Sequence, residues 1–222
     1  MKPTQKYYLL AYNGIAFLAW LAYGVSLVSL VLLPGAFRHF PMWIIILPYL
    51  LPVAQGLALL EVVHAATGLV RSPVGSTAAQ VASRILVVVL LYLFFSDPYL
   101  SWINAGLLLV SIAWTITELI RYSFYFAGLL GREPHILLWM RYSFFVLLYP
   151  LGVTGEWLII LSPLLTYGLA GRDIFGHQWT FAVGPVYYTI FVCALAVAYI
   201  VYFPVLYRYM WQQRRKKLLE QH

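Results

Sequence analysis

Six long apolar runs constrain this chain more than any other feature. They cover roughly Tyr7–Leu33, Pro41–Leu60, Ala78–Phe95, Tyr99–Ile120, Leu137–Leu165 and Phe181–Leu206. Each approaches or exceeds the ~20 residues a helix needs to cross a bilayer. The connections Pro34–Phe40, Glu61–Thr77, Ser96–Pro98, Arg121–Ile136 and Thr166–Thr180 are too short to hold a soluble domain. The expected fold is therefore all-α: a six-helix transmembrane bundle forming one domain over residues 1–222, with a short basic tail from about residue 208. With 63% hydrophobic and 9% charged residues, a chain of this size cannot hide its apolar surface as a soluble protein. The first run is too long for a cleavable signal and is expected to stay as an anchor. The repeated Arg-Tyr-Ser-Phe at 121–124 and 141–144 reads as coincidence.

An even number of spans puts both termini on one side, and the basic residues choose the side. Twelve of them, including Lys2, Lys6, Arg71, Arg84, Arg121, Arg132, Arg141 and the tail cluster Arg208, Arg214, Arg215, Lys216 and Lys217, fall on one face. Arg38 and Arg172 fall on the other. Lysine and arginine accumulate on the cytosolic side, so both termini are expected in the cytosol. The tail carries most of the net charge of +7, which suits anionic headgroups rather than nucleic acid.

Polar residues in or against the spans gather toward that same cytosolic half. Glu61 ends the second run, Gln80 and Arg84 open the third, Glu118 and Arg121 end the fourth, and Arg141 opens the fifth. Tyr149 and Glu156 lie deeper, in the stretch Tyr149-Pro-Leu-Gly-Val-Thr-Gly-Glu156. Seven residues apart, they share one helix face with an axial offset of about 10 Å, room for a small substrate. Pro150 favours a kink there, and Gly152 and Gly155 allow close approach of a backbone or ligand. An ionisable side chain inside a span marks a functional site by default. The plainer readings are a Glu156 paired with a neighbouring arginine, a Glu118–Arg121 pair at i,i+3 spacing, and an Arg141 that snorkels to the headgroups.

The chemistry is bounded by what is missing. No Ser-His-Asp, Cys-His or metal-ligand spacing occurs, and Cys193 is not followed by a phosphatase-type loop ending in arginine. A carboxylate and a phenol in low dielectric remain, a pair suited to acid/base work on a carbon acid. Which of the two is acid and which is base stays open.

The chain resembles the very-long-chain (3R)-3-hydroxyacyl-CoA dehydratases, the protein tyrosine phosphatase-like membrane proteins. The likeness rests on Tyr8-Leu-Leu-Ala-Tyr-Asn13, Leu60-Glu-Val-Val-His-Ala-Ala-Thr-Gly-Leu-Val-Arg-Ser-Pro73 and Gln80-Val-Ala-Ser-Arg84. It continues through Trp114-Thr-Ile-Thr-Glu-Leu-Ile-Arg-Tyr-Ser-Phe124, Leu138-Trp-Met-Arg-Tyr-Ser143 and Tyr149 to Glu156. The resemblance implies dehydration of a long 3-hydroxyacyl-CoA to the trans-2-enoyl-CoA, the third step of fatty-acid elongation, in the endoplasmic reticulum membrane. It implies Tyr149 and Glu156 as the catalytic pair, with Glu61, Gln80, Arg84, Glu118, Arg121, Arg141 and Gly152 binding substrate or supporting the site. No metal or other cofactor is expected, and the partners implied are membrane lipid, the condensing enzyme, the ketoacyl-CoA reductase and the enoyl-CoA reductase. Two rival readings stand beside it: a non-catalytic scaffold of the elongation enzymes, and a transporter that uses its intramembrane charges as a path.

Overall fold

The computed structural model of the chain describes residues 2–32, 49–94, 97, 99–132, 134–169, 171–172 and 184–219. Seven helices and no strand occur among them. They are α1 (Pro3–Leu32), α2 (Leu51–Ala66), α3 (Val74–Phe94), α4 (Ser101–Leu129), α5 (His135–Ser143), α6 (Phe145–Tyr167) and α7 (Pro185–Leu219). Five of these, α1, α3, α4, α6 and α7, are long and apolar enough to cross a bilayer. The sixth expected span corresponds to α2, only 16 residues long here, because positions 41–48 of the expected run lie outside the described residues. Arg38, used above to orient the chain, lies outside them too.

Several boundaries differ from the expected ones, and the reason is physical. Hydropathy falls near residue 61 and near residue 121, but helix propensity does not, since Glu61–Ala66 and Arg121–Leu129 contain no proline. Helices α2 and α4 therefore run on until a glycine with positive φ stops them. Gly131 (φ 76°) ends α4: the Arg132 amide donates to the Ala127 carbonyl at 2.9 Å and the Gly131 amide to Gly128 at 3.0 Å. This 6→1 and 5→2 pairing satisfies the last carbonyls of the helix. Gly68 (φ 70°) stops α2 in the same way, with its amide on Ala65.

The expected fifth span is two helices, interrupted at Phe144 rather than at either proline. Both Pro150 and Pro163 sit inside α6. A proline cannot donate to the carbonyl four residues back. Pro150 thus leaves the Val146 carbonyl open, and the Tyr207 hydroxyl of α7 takes it at 3.3 Å. Beside Pro163, the Tyr188 hydroxyl donates to the Ile160 carbonyl at 2.7 Å. Two tyrosines of α7 thus donate to α6 carbonyls near its prolines. Helix α7 is 35 residues long, about 50 Å at 1.5 Å per residue, well beyond the bilayer core. The basic tail is the last turns of this helix, with no glycine or proline after Pro204 to end it.

The described residues form two compact units. One holds residues 1–92 and 111–141, the other 93–110 and 142–222. In the first, α1 packs on α2, and its buried stripe is Leu9, Tyr12, Asn13, Ala16, Trp20 and Tyr23. The Tyr23 hydroxyl meets Ser111 of α4 at 2.5 Å. In the second unit α6 packs on α7, and Tyr167 near the end of α6 donates to the Asp97 carboxylate.

Candidate functional site

The two residues expected to carry chemistry lie on one unbroken helix. Both Tyr149 and Glu156 belong to α6, so their seven-residue spacing keeps them on one face as helical geometry requires. Glu156 is buried at 8% exposure, which matters because a carboxylate withdrawn from solvent needs hydrogen-bond donors. One donor is the Tyr199 hydroxyl of α7, 2.6 Å from Glu156 Oε2. The Tyr199 ring stands edge-on to Trp157, the residue after Glu156, with centroids 5.3 Å apart. Tyr149 is half-buried, its ring edge-on to Phe145 at 5.8 Å. Phe145 in turn touches Tyr207 and Trp211 of α7. A cleft of about 440 Å³ is lined by Val153 and Trp157 of α6 and by Ala196, Tyr199, Ile200, Phe203 and Pro204 of α7; Tyr199 links its wall to Glu156.

Glycine sets where α6 can sit. Gly152 and Gly155 are both buried. A Cβ on Gly155 would lie 2.8 Å from the Gly106 carbonyl of α4 and 2.8 Å from Leu109, and a Cβ on Gly106 would meet the Gly155 carbonyl at the same distance. The crossing of α4 and α6 therefore requires glycine at both positions. Gly155→Ala should cost about 1–3 kcal/mol of overpacking, seen as a lower melting temperature in detergent. Because Glu156 is the next residue, turnover per folded molecule should fall as well.

The first unit assembles a different set of the expected residues. Glu118 of α4, only 1% exposed, accepts from Arg84 of α3 and from Arg121 one turn along its own helix. Arg121 also reaches Glu61 of α2, and its Nη2 lies 2.9 Å from the Tyr122 hydroxyl. Tyr122 donates to Glu61 Oε1 at 2.7 Å, and Tyr12 of α1 donates to the same carboxylate at 3.3 Å and to the Leu57 carbonyl at 3.0 Å. The Tyr12 ring is edge-on to His64, whose Nε2 meets the Tyr8 hydroxyl at 2.9 Å. Two carboxylates, two guanidiniums and two phenols thus join four helices in one network. Arg84 also lies over the Trp114 ring at 5.8 Å.

The expected i,i+3 pair of Glu118 and Arg121 is therefore present, extended to α2 and α3. Glu61, Arg84, Glu118 and Arg121 come together. Arg141 does not join them; it turns to the Tyr125 hydroxyl at 3.0 Å and stacks over Phe124 and Tyr125. Gln80 is exposed on α3, one turn before Arg84. Cys193 is exposed on α7. Sequence reasoning missed the tyrosines that complete both groups: Tyr8, Tyr12 and Tyr122 in the first unit, Tyr199 in the second. Among 18 tyrosines, nothing in a single sequence marks those four.

The model of the family described as protein tyrosine phosphatase-like protein, PTPLA, matches residues 55–220. Very-long-chain (3R)-3-hydroxyacyl-CoA dehydratase 2 of Mus musculus is 38% identical over 218 residues, covering 97% of this chain and 82% of the mouse protein. The dehydratase hpo-8 of Caenorhabditis elegans is 38% identical over 221 residues, covering 95% and 94%. In Arabidopsis thaliana the dehydratase PASTICCINO 2 is 38% identical over 175 residues, covering 76% and 75%. No solved structure matches the chain.

Proposed function

Because the chain belongs to the protein tyrosine phosphatase-like family, alongside the very-long-chain (3R)-3-hydroxyacyl-CoA dehydratases, we propose that it removes water from a long 3-hydroxyacyl-CoA to give the trans-2-enoyl-CoA. It is a multi-pass membrane lyase of fatty-acid elongation. The observation that carries the chemical reading is the placement of a buried Glu156 and a half-buried Tyr149 on one face of α6.

The thioester acidifies the hydrogen on C2. Glu156, as general base, removes that proton, and the electron pair forms the C2–C3 double bond as the C3–O bond breaks. The departing hydroxyl leaves as water with a proton from Tyr149, whose phenol is protonated at neutral pH and can donate. In the variant of this step Tyr149 hydrogen-bonds to the thioester oxygen as negative charge develops there, and the proton that Glu156 took from C2 passes to the departing hydroxyl to make water. Where Tyr149 has given its proton to the hydroxyl, transfer of the Glu156 proton to Tyr149 closes the cycle; in the variant both residues are already restored. A positioned acid or base contributes roughly 10²–10⁴-fold, and an oxyanion donor about 3–4 kcal/mol. The elimination requires no redox change and no metal.

The supporting residues divide by what they touch. Glu61, Arg84, Glu118 and Arg121 serve by holding helices α1 to α4 together, because each guanidinium is engaged by carboxylates. Gly152, buried between Tyr149 and Glu156, keeps their shared face free of bulk. Arg141 and Gln80 are assigned to the cytosolic edge, where the CoA end of the substrate stays.

We place six spans in the membrane, the second being α2 with the residues before it, and both termini in the cytosol of an endoplasmic reticulum membrane. The other elongation enzymes are the partners this location suggests. The topology has a direct check. With Cys193 replaced, single cysteines at positions 2 and 213 should react with an impermeant maleimide from the cytosolic side only, and one at position 172 from the opposite side. Labelling of 2 and 213 from opposite sides would contradict the even count.

The function itself is tested in proteoliposomes supplied with a long-chain 3-hydroxyacyl-CoA. Enoyl-CoA formed without transbilayer flux supports the lyase reading. Flux without conversion would point to a transporter, and neither, with retained binding of elongation enzymes, to a scaffold.

A further inference from the structure

The Tyr199–Glu156 contact brings a residue of α7 to the carboxylate assigned as base. Helix α7 carries Tyr187, Tyr202 and Tyr209 with exposed rings, while Tyr188 and Tyr207 donate to backbone carbonyls of α6. Tyr199 differs from both sets: its hydroxyl turns to the buried carboxylate of α6, and its ring is fixed against Trp157. A glutamate side chain has three rotatable bonds, so helix position alone leaves its oxygens free to move by ångströms. The hydrogen bond at Oε2, held by a phenol that packing already fixes, restricts that motion.

We propose that Tyr199 is the positioning residue for the Glu156 carboxylate, holding Oε2 so that the carboxylate is aimed at the C2 hydrogen. This rests on the reading of Glu156 as the base. It also sets a geometric condition on the cleft beside it. Tyr199 forms part of the cleft wall, so a group lodged between Trp157 and Phe203 lies next to the residue that aims the base.

The test uses the full-length protein and steady-state kinetics on a long-chain 3-hydroxyacyl-CoA. Tyr199→Phe removes only the hydroxyl. Misplacement of a reacting group by about 1 Å costs on the order of 10²-fold, so kcat should fall by roughly 10- to 100-fold with KM within about twofold of the parent. The melting temperature in detergent should stay close to the parental value. A second variant, Glu156→Asp, is one methylene shorter and breaks the same hydrogen bond from the other side. In that background Tyr199→Phe should cost nothing further, because coupled residues are not additive.

Parental kcat in Tyr199→Phe, with Glu156→Gln folded and inactive, would overturn this inference and leave the base intact. So would a loss confined to KM, which would make Tyr199 a substrate-fitting residue, or additive losses in the double variant. Turnover that survives in folded Glu156→Gln would instead remove the base assignment, and this inference with it.

Discussion

Glu156→Gln is expected to lower turnover by roughly 10²–10⁴-fold while leaving the protein folded. Glutamine keeps the size of the side chain and can still accept from Tyr199, so the packing of α6 on α7 is retained; what is lost is the ability to take a proton. Tyr149→Phe should cost about as much if the phenol supplies the proton to the leaving hydroxyl, and about 3–4 kcal/mol of transition-state stabilisation if it serves the thioester oxygen. The Phe145 contact survives that change, since it is made by the ring. Kinetic loss without a drop in melting temperature is the signature of both variants. Retained turnover in either would move the chemistry away from α6.

The second large effect is structural. Glu118 is buried and accepts from two arginines on two helices. Glu118→Gln leaves both guanidiniums short of a charge partner, and removing one member of a buried ionic network costs about 3–5 kcal/mol. The melting temperature and the folded yield should both fall, with kcat per folded molecule close to parental. Arg121 variants should behave alike, because Arg121 is the residue that links Glu118 to Glu61. A Glu118→Gln protein of parental stability with no turnover would instead show the network acting on substrate.

Much of this was legible in the sequence, and the parts that were not share a physical cause. Length and hydropathy mark the spans because the bilayer imposes a minimum run. They do not mark which side of a span faces protein, since lipid is as apolar as the core. The buried stripe of α1 from Leu9 to Tyr23 therefore looks no different from its exposed face, where Ile15, Leu18 and Val25 point outward. Charged residues are the exception, because a membrane tolerates them only where they find partners. That is why Glu61, Arg84, Glu118, Arg121 and Glu156 could be singled out from sequence, and why the pairing of the first four into one network of the first unit was not far from the expected i,i+3 contact. Tyrosine gives no such signal. It suits interface, core and site equally, so Tyr12, Tyr122 and Tyr199 became visible only when their hydroxyls met carboxylates. The helix ends shifted for a related reason: hydropathy stops where charge begins, whereas α2 and α4 continue until Gly68 and Gly131.

The central claim is that Glu156 takes the C2 proton, and isotope incorporation tests it most directly. Elimination and hydration run through one transition state, so the parent incubated with a long-chain trans-2-enoyl-CoA in deuterated water should return 3-hydroxyacyl-CoA with deuterium on C2, read by mass spectrometry. Folded Glu156→Gln should return none over the same time. Deuterium on C2 from the glutamine variant at the parental rate would contradict the account and place the base on another residue.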